Sequence, residues 1–170
     1  MKFANIKYND ISNGPGIRLC LFVSGCSHGC KGCFNQEAWD YNYGKEYSKD
    51  IEDHIIENLN KTYIKGITLL GGEPLDPKNR DVILTLINRI KKDLPNKTIW
   101  CYTGYIYEDI KNLPTIQDIF SKIDVLVDGK FDINLFIYGL KFKGSTNQRI
   151  IDIKETNKYN RVILWNDNFM

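Results

Sequence analysis

The sequence predicts an α/β protein, an incomplete (β/α) barrel of about five to six mainly parallel strands. Three observations carry that prediction. Short apolar runs such as Leu19-Cys20-Leu21-Phe22-Val23 and Ile67-Thr68-Leu69-Leu70 are nearly continuous rather than alternating, which suits strands buried on both faces. Between the runs lie stretches with apolar residues at helical spacing, and strands alternating with helices build a parallel sheet through right-handed crossovers. A closed eight-fold barrel takes about 250 residues, whereas this chain has 170. At 42% hydrophobic it can bury one core, and it reads as a single domain over 1–170.

Residues 1–10 mix apolar and polar side chains without a clear period, and Ser12-Asn13-Gly14-Pro15-Gly16 is a turn cluster that ends whatever precedes it. The first predicted strand is 17–24. After a polar, aromatic segment over 36–47, Ser48 is placed to cap a helix whose apolar positions Ile51, Ile55 and Leu59 recur every four residues. Ile67-Thr68-Leu69-Leu70 is the second strand, and Asp76-Pro77 is expected to start the next helix, whose buried stripe is Val82, Ile83, Leu86, Ile87 and Ile90. Thr98-Ile99-Trp100-Cys101-Tyr102 is the third strand. A weaker helical region over 107–121 is interrupted by Pro114, and Ile123-Asp124-Val125-Leu126-Val127 is the fourth strand. Residues 148–152 and 161–165 read as two further strands, with 154–160 open between turn and short helix.

Composition narrows the function classes. With 23 Lys and Arg against 21 Asp and Glu the net charge is +2, which makes no general case for nucleic acid or membrane surfaces. No apolar run approaches the roughly 18 residues that span a bilayer. The opening Met1-Lys2-Phe3 runs straight into mixed sequence, so a soluble, cytoplasmic protein is expected.

Function is expected where strands end. Cys26-x3-Cys30-x2-Cys33 follows the first strand directly, and Gly25, Gly29 and Gly32 thin out the loop so that backbone can wrap a compact group. Thiolates at this spacing bind metal. An electron-transfer iron–sulfur cluster normally takes four cysteines, so three suggest a cluster with one iron open to another ligand. A structural Cys3His zinc site completed by His28 is the alternative. Disulfides fit poorly with five cysteines and a reducing compartment. Cys20 and Cys101 lie within apolar runs and read as small buried hydrophobes. The turns Gly71-Gly72-Glu73-Pro74, Thr103-Gly104 and Asp128-Gly129-Lys130 follow later strands, at the carboxyl ends where α/β proteins bind ligands. Each also has a bland reading, a strand-to-helix turn or a solvated ion pair.

Taken together, the cysteine motif followed by Phe34 and the Gly-Gly-Glu-Pro turn resemble the radical S-adenosylmethionine enzymes. Asn13-Gly14-Pro15-Gly16-Ile17-Arg18 narrows the resemblance to glycyl-radical activating enzymes. Cys33-Phe34-Asn35, Tyr102-Thr103-Gly104-Tyr105, Asp128-Gly129-Lys130-Phe131 and Gly144-Ser145-Thr146-Asn147-Gln148-Arg149-Ile150-Ile151-Asp152 are most similar to the branch that activates anaerobic ribonucleoside-triphosphate reductase. Lys143 departs from the arginine expected before Gly-Ser, keeping charge but losing bidentate geometry.

The resemblance implies a radical-SAM barrel and a 4Fe-4S cluster held by Cys26, Cys30 and Cys33. It implies that S-adenosyl-L-methionine chelates the open iron, that a donor such as a flavodoxin or ferredoxin supplies one electron, and that a 5′-deoxyadenosyl radical takes hydrogen from a glycine. That glycine would lie on the large catalytic subunit of the anaerobic ribonucleoside-triphosphate reductase. Gly32, Cys33 and Phe34 would flank the adenine. Gly71 and Gly72 would let backbone approach the methionyl ammonium, with Glu73 as acceptor and Thr103 as a hydroxyl contact. Asp128 and Lys130 would oppose the ammonium and carboxylate of the methionine. Asn147, Gln148 and Arg149 receive no role. An activase of pyruvate formate-lyase type, a deazapurine synthase, and a non-catalytic iron–sulfur or zinc protein are the rival readings.

The cysteine assignment is testable residue by residue. Iron content and 5′-deoxyadenosine release are expected to collapse in Cys26→Ala, Cys30→Ala and Cys33→Ala and to persist in Cys20→Ala and Cys101→Ala. A Cys30→Ala protein with its full cluster and activity would rule out the three-ligand assignment.

Overall fold

The computed structural model describes residues 1–166. Its strands are β1 (Lys2–Asp10), β2 (Ile17–Val23), β3 (Lys45–Glu46), β4 (Ile64–Gly71), β5 (Thr98–Tyr102), β6 (Val125–Asp128) and β7 (Arg149–Asp152). Its helices are α1 (Lys49–Leu59), α2 (Arg80–Asp93), α3 (Tyr107–Ile110), α4 (Pro114–Phe120) and α5 (Ile153–Tyr159). All seven strands form one mixed sheet in the order β3-β1-β2-β4-β5-β6-β7. The inner strands β2, β4, β5 and β6 run parallel, while β1, β3 and β7 add antiparallel at the flanks. The α/β class therefore holds, but the mainly parallel set is a central block of four strands with antiparallel borders.

The periodicities explain the packing. Alternate residues of the inner strands, Leu19, Leu21, Ile67, Leu69, Ile99 and Leu126, face the helices and are fully buried. Against them α2 sets Ile83, Leu86, Ile87 and Ile90, spaced three and four apart along one stripe. Burial of each such side chain is worth roughly 1.5–3 kcal/mol against leaving it in water. The opposite face carries Cys20, Phe22 and Leu70, then Trp100, Val125 and Val127, with Phe142 and Trp165 packed edge-on against Trp100. Both free thiols read as core residues are fully buried. Arg18 is also buried on this second face. Its guanidinium donates to Thr68 Oγ1 at 2.8 Å, Thr98 Oγ1 at 2.9 Å and the Ile67 carbonyl at 2.6 Å, and burial lowers its pKa to about 10.

Several local expectations are corrected. Residues 1–10, read as aperiodic, form β1; the strand borders the sheet, and only Phe3 and Asp10 of it are buried. The helix expected at Asp76-Pro77 begins at Arg80, because the Asp76 side chain takes the Lys78 amide at 2.9 Å and the Tyr41 hydroxyl at 2.7 Å and makes a turn instead. Residues 161–165 contribute an isolated bridge, Leu164 opposite Ile151, rather than a strand. The open stretch before them is α5, capped by Asp152 and ended by Asn160 in the left-handed conformation. Ser48 caps α1 as expected, and the helical region expected to be interrupted at Pro114 is divided into α3 and α4, the second starting at that proline. No helix among the described residues is long and apolar enough to cross a membrane.

One buried amide ties this framework to the strand ends. Asn79 Nδ2 donates at 3.0 Å both to the Ser24 carbonyl, after β2, and to the Glu73 carbonyl, after β4. Asn79→Ala leaves the Ser24 carbonyl without this donor and the Glu73 carbonyl with the Asp76 amide alone, and is expected to lower stability by about 1–3 kcal/mol, read from anaerobic urea unfolding of the cluster-free protein. An unchanged midpoint would mean that the two loops hold together without it.

Candidate active site

Backbone pairing fixes the cysteine loop at its base. The Gly72 amide donates to the Val23 carbonyl at 2.7 Å and the Glu73 amide to the Gly25 carbonyl at 2.8 Å. On the other side, the Gly25 and Cys26 amides reach the carbonyls of Ala38 and Trp39. Two glycines are obligatory here. Gly25 has φ +95° and its missing Cβ would sit 2.2 Å from the Tyr41 ring, while a Cβ on Gly72 would lie 2.6 Å from the Gly25 carbonyl oxygen. The Gly-Gly-Glu-Pro turn is thus laced directly to the loop that carries the thiols.

Beyond that base, Cys26, Cys30 and Cys33 line one cavity of about 420 Å³ at the carboxyl ends of the inner strands. The Asn35 amide donates to the Cys33 sulfur at 3.4 Å, and the backbone at His28 and at Phe131 favours the thiolate forms of Cys26 and Cys30. Burial raises the Cys26 thiol to about 11 and raises Cys30 as well, with the neighbouring thiols adding to both shifts. Three thiols facing one space, with backbone groups that favour their anionic form, suit an anionic iron–sulfur group. Among the described residues no three His, Cys, Asp or Glu side chains are placed to hold a single metal ion. His28 is turned onto Glu73 instead, so the zinc alternative gains no support.

Of the expected cofactor residues, Phe34, Gly71, Gly72, Glu73 and Thr103 line the same cavity as the thiols. Glu73 is almost fully buried, and its carboxylate accepts four bonds from within the chain. Oε1 takes the Leu75 amide at 2.9 Å and Thr103 Oγ1 at 2.8 Å; Oε2 takes the Gly104 amide at 2.7 Å and His28 Nε2 at 2.7 Å. The His28 ring is steadied edge-on against Tyr105 at 4.5 Å. The acceptor expected to meet a ligand's ammonium is thus committed to internal donors, and Thr103 is one of them.

Asp128 is also given a different task. It is completely buried, takes the Tyr107 amide at 2.9 Å, and is held by Nε and Nη2 of Arg149, which also grips Glu108. These partners raise the Arg149 pKa further. Asp128, Lys130 and Gly32 are not among the cavity-lining residues. Lys130 is exposed, its charge opposing part of the burial-driven rise of the Cys30 thiol, and Gly32 abuts Ile133. Lys143 does line the cavity, but its ammonium donates to the Gln148 carbonyl at 3.0 Å. Gln148 braces the neighbouring loop by accepting from the Gly144 amide and donating to the Gly129 carbonyl. Asn79 and Arg149 are supporting residues that sequence reasoning missed, Arg149 with the hint of standing at the head of an apolar strand, while His28 was weighed only as a zinc ligand and not as a partner of Glu73.

Comparison with known proteins agrees with this geometry. Residues 12–151 match the family described as a 4Fe-4S single cluster domain. A protein of Vibrio cholerae named anaerobic ribonucleoside-triphosphate reductase-activating protein is 46% identical over 143 residues, 83% of this chain and 91% of the relative. Proteins of the same name from Escherichia coli K12 and bacteriophage T4 are 48% identical over 141 residues and 41% identical over 150 residues. These matches cover 82% and 88% of this chain and 90% and 93% of the relatives, respectively.

The committed carboxylate gives a prediction. In Glu73→Gln one oxygen becomes an NH2 group facing two donors, so stability of the cluster-free protein is expected to fall by about 1–3 kcal/mol. Thermal unfolding under anaerobic conditions measures it. A variant as stable as the parent would show that the four internal bonds do not hold the strand ends.

Proposed function

We propose, because this chain belongs to the family of anaerobic ribonucleoside-triphosphate reductase-activating proteins, that it generates a glycyl radical on the large subunit of such a reductase. The work is done by reductive cleavage of S-adenosylmethionine at a 4Fe-4S cluster. The observation that carries this reading is the set of three thiols around one cavity, within the stretch that matches a 4Fe-4S single cluster domain. When bound, the cluster supplies the electron that breaks a sulfonium C–S bond, chemistry that no side chain of the protein can perform.

The chain's own residues hold, orient and exclude. Cys26, Cys30 and Cys33 are the cluster ligands. Gly71 and Gly72 give the cofactor's amino acid end a backbone surface without side chains, and Phe34 and Cys33, with Gly32 behind them, border its adenine. Glu73 and Thr103 act here as a brace between strand ends, keeping that surface in place. Asp128 serves with Arg149 to hold the β6 terminus, and Lys130 adds positive charge near Cys30. On this reading the sheet is the incomplete barrel of a radical-SAM enzyme, opening to a protein substrate rather than to a small molecule alone. A small electron-transfer protein, a flavodoxin or ferredoxin, reduces the cluster in the cytoplasm.

Anaerobic incubation with the large reductase subunit, S-adenosylmethionine and a reductant tests this. Electron paramagnetic resonance is expected to reveal a glycyl radical on the subunit, dependent on all three additions and absent with Cys30→Ala. Cofactor cleavage that yields a radical on a pyruvate formate-lyase but never on the reductase would overturn the assignment.

A further inference from the structure

The loop joining β6 to β7, residues 129–148, folds over the cysteine loop and leaves its own apolar side chains outside. Phe34, next to Cys33, has its ring 5.0 Å from Phe131 and 6.0 Å from Phe136. Ile133 closes on Gly32, where a Cβ would come within 3.2 Å of it. The loop is braced from within by Asn147, which donates to the Lys130 carbonyl, and by Gln148, which spans Gly129 and Gly144, and from β5 by Tyr102, which donates to the Phe142 carbonyl. Its fixed shape nonetheless presents a continuous apolar run to water. Leu135 is 41% exposed, Phe136 44%, Ile137 57% and Tyr138 95%, with Phe34 beside them at 69%. Contiguous exposed apolar surface of this kind marks a partner site.

We propose that this face docks the radical-accepting segment of the reductase large subunit, an apolar stretch flanked by carboxylates. The inference rests on the function proposed above and adds the place of contact. Two features select the occupant. The face runs without a break into the cavity, because Phe34, Phe131, Leu140 and Phe142 line the space that holds the thiols. A polypeptide that must place a backbone glycine in that cavity has to cross this rim, whereas an electron donor needs to approach the cluster without entering. Exposed Lys31 and Lys130 border the face and complement acidic flanks on the partner.

The test compares the reconstituted full-length protein with an Ile137→Glu/Tyr138→Glu double variant, whose substitutions fall outside the cavity lining. Anaerobic titration with the large subunit is expected to show binding weakened about tenfold or more, with partner-free cleavage of S-adenosylmethionine unchanged. Glycyl-radical yield should fall at low subunit concentration and recover at high concentration. Lys31→Glu should slow association and flatten its salt dependence. Unchanged subunit affinity in the double variant overturns the proposal. So does unchanged affinity with slowed cluster reduction by flavodoxin, which would assign the face to the electron donor. If the unmodified protein fails to bind the subunit, it is the functional reading itself that falls, and this inference with it.

Discussion

The buried carboxylate of Glu73 joins three parts of the chain that are remote in sequence: the cysteine loop through His28, its own turn through Leu75, and the end of β5 through Thr103 and Gly104. Burying a carboxylate is costly unless donors replace the water it loses. Here four donors do so. The charge therefore acts as a spacer of fixed length between β4 and β5, and the backbone lacing of Gly72 and Glu73 onto Val23 and Gly25 carries that spacing across to the thiols. Flexible as its glycines make it in isolation, the cysteine loop is set on a rigid seat.

Much of this was legible in the chain. The inner strands announced themselves because both faces are covered, leaving runs such as Leu19–Val23 with little to hide. The ligand loop was equally plain from its spacing. What could not be read was of two kinds. β1 escaped because a border strand with most side chains at least partly in water carries no apolar period. Asp76 misled because a residue well suited to capping can satisfy a nearer turn first. The roles of Glu73 and Asp128 were hidden for a deeper reason: their partners lie up to 45 and 21 residues away, and a motif does not record whether an acid looks outward to a ligand or inward to the fold.

The site divides accordingly into a fixed floor and a facing wall. The floor consists of strand ends pinned by buried polar groups, including the Asp128–Arg149 pair, where guanidinium geometry allows two bonds to one carboxylate. The wall is the loop over 129–148, held mainly by amides and carbonyls of its own and by aromatic contact with Phe34. Positive φ at Phe142, whose ring wedges against Trp100 and Trp165, is the point where this wall is anchored into the sheet's second face.

The order of strands in the sheet bears on how such a protein is made. From β1 through β2, β4, β5, β6 and β7, each strand lies beside its predecessor, and only the two-residue β3 is out of turn. A chain leaving the ribosome can thus lengthen its sheet at one edge, with no completed pair needing to part for a later arrival. Val23, Glu73 and Gly104, whose bonds close the seat of the thiol loop, are all in place before the last third of the chain exists. Strand order alone thus allows the cysteine loop to be seated before the loop over 129–148 that will face it is made.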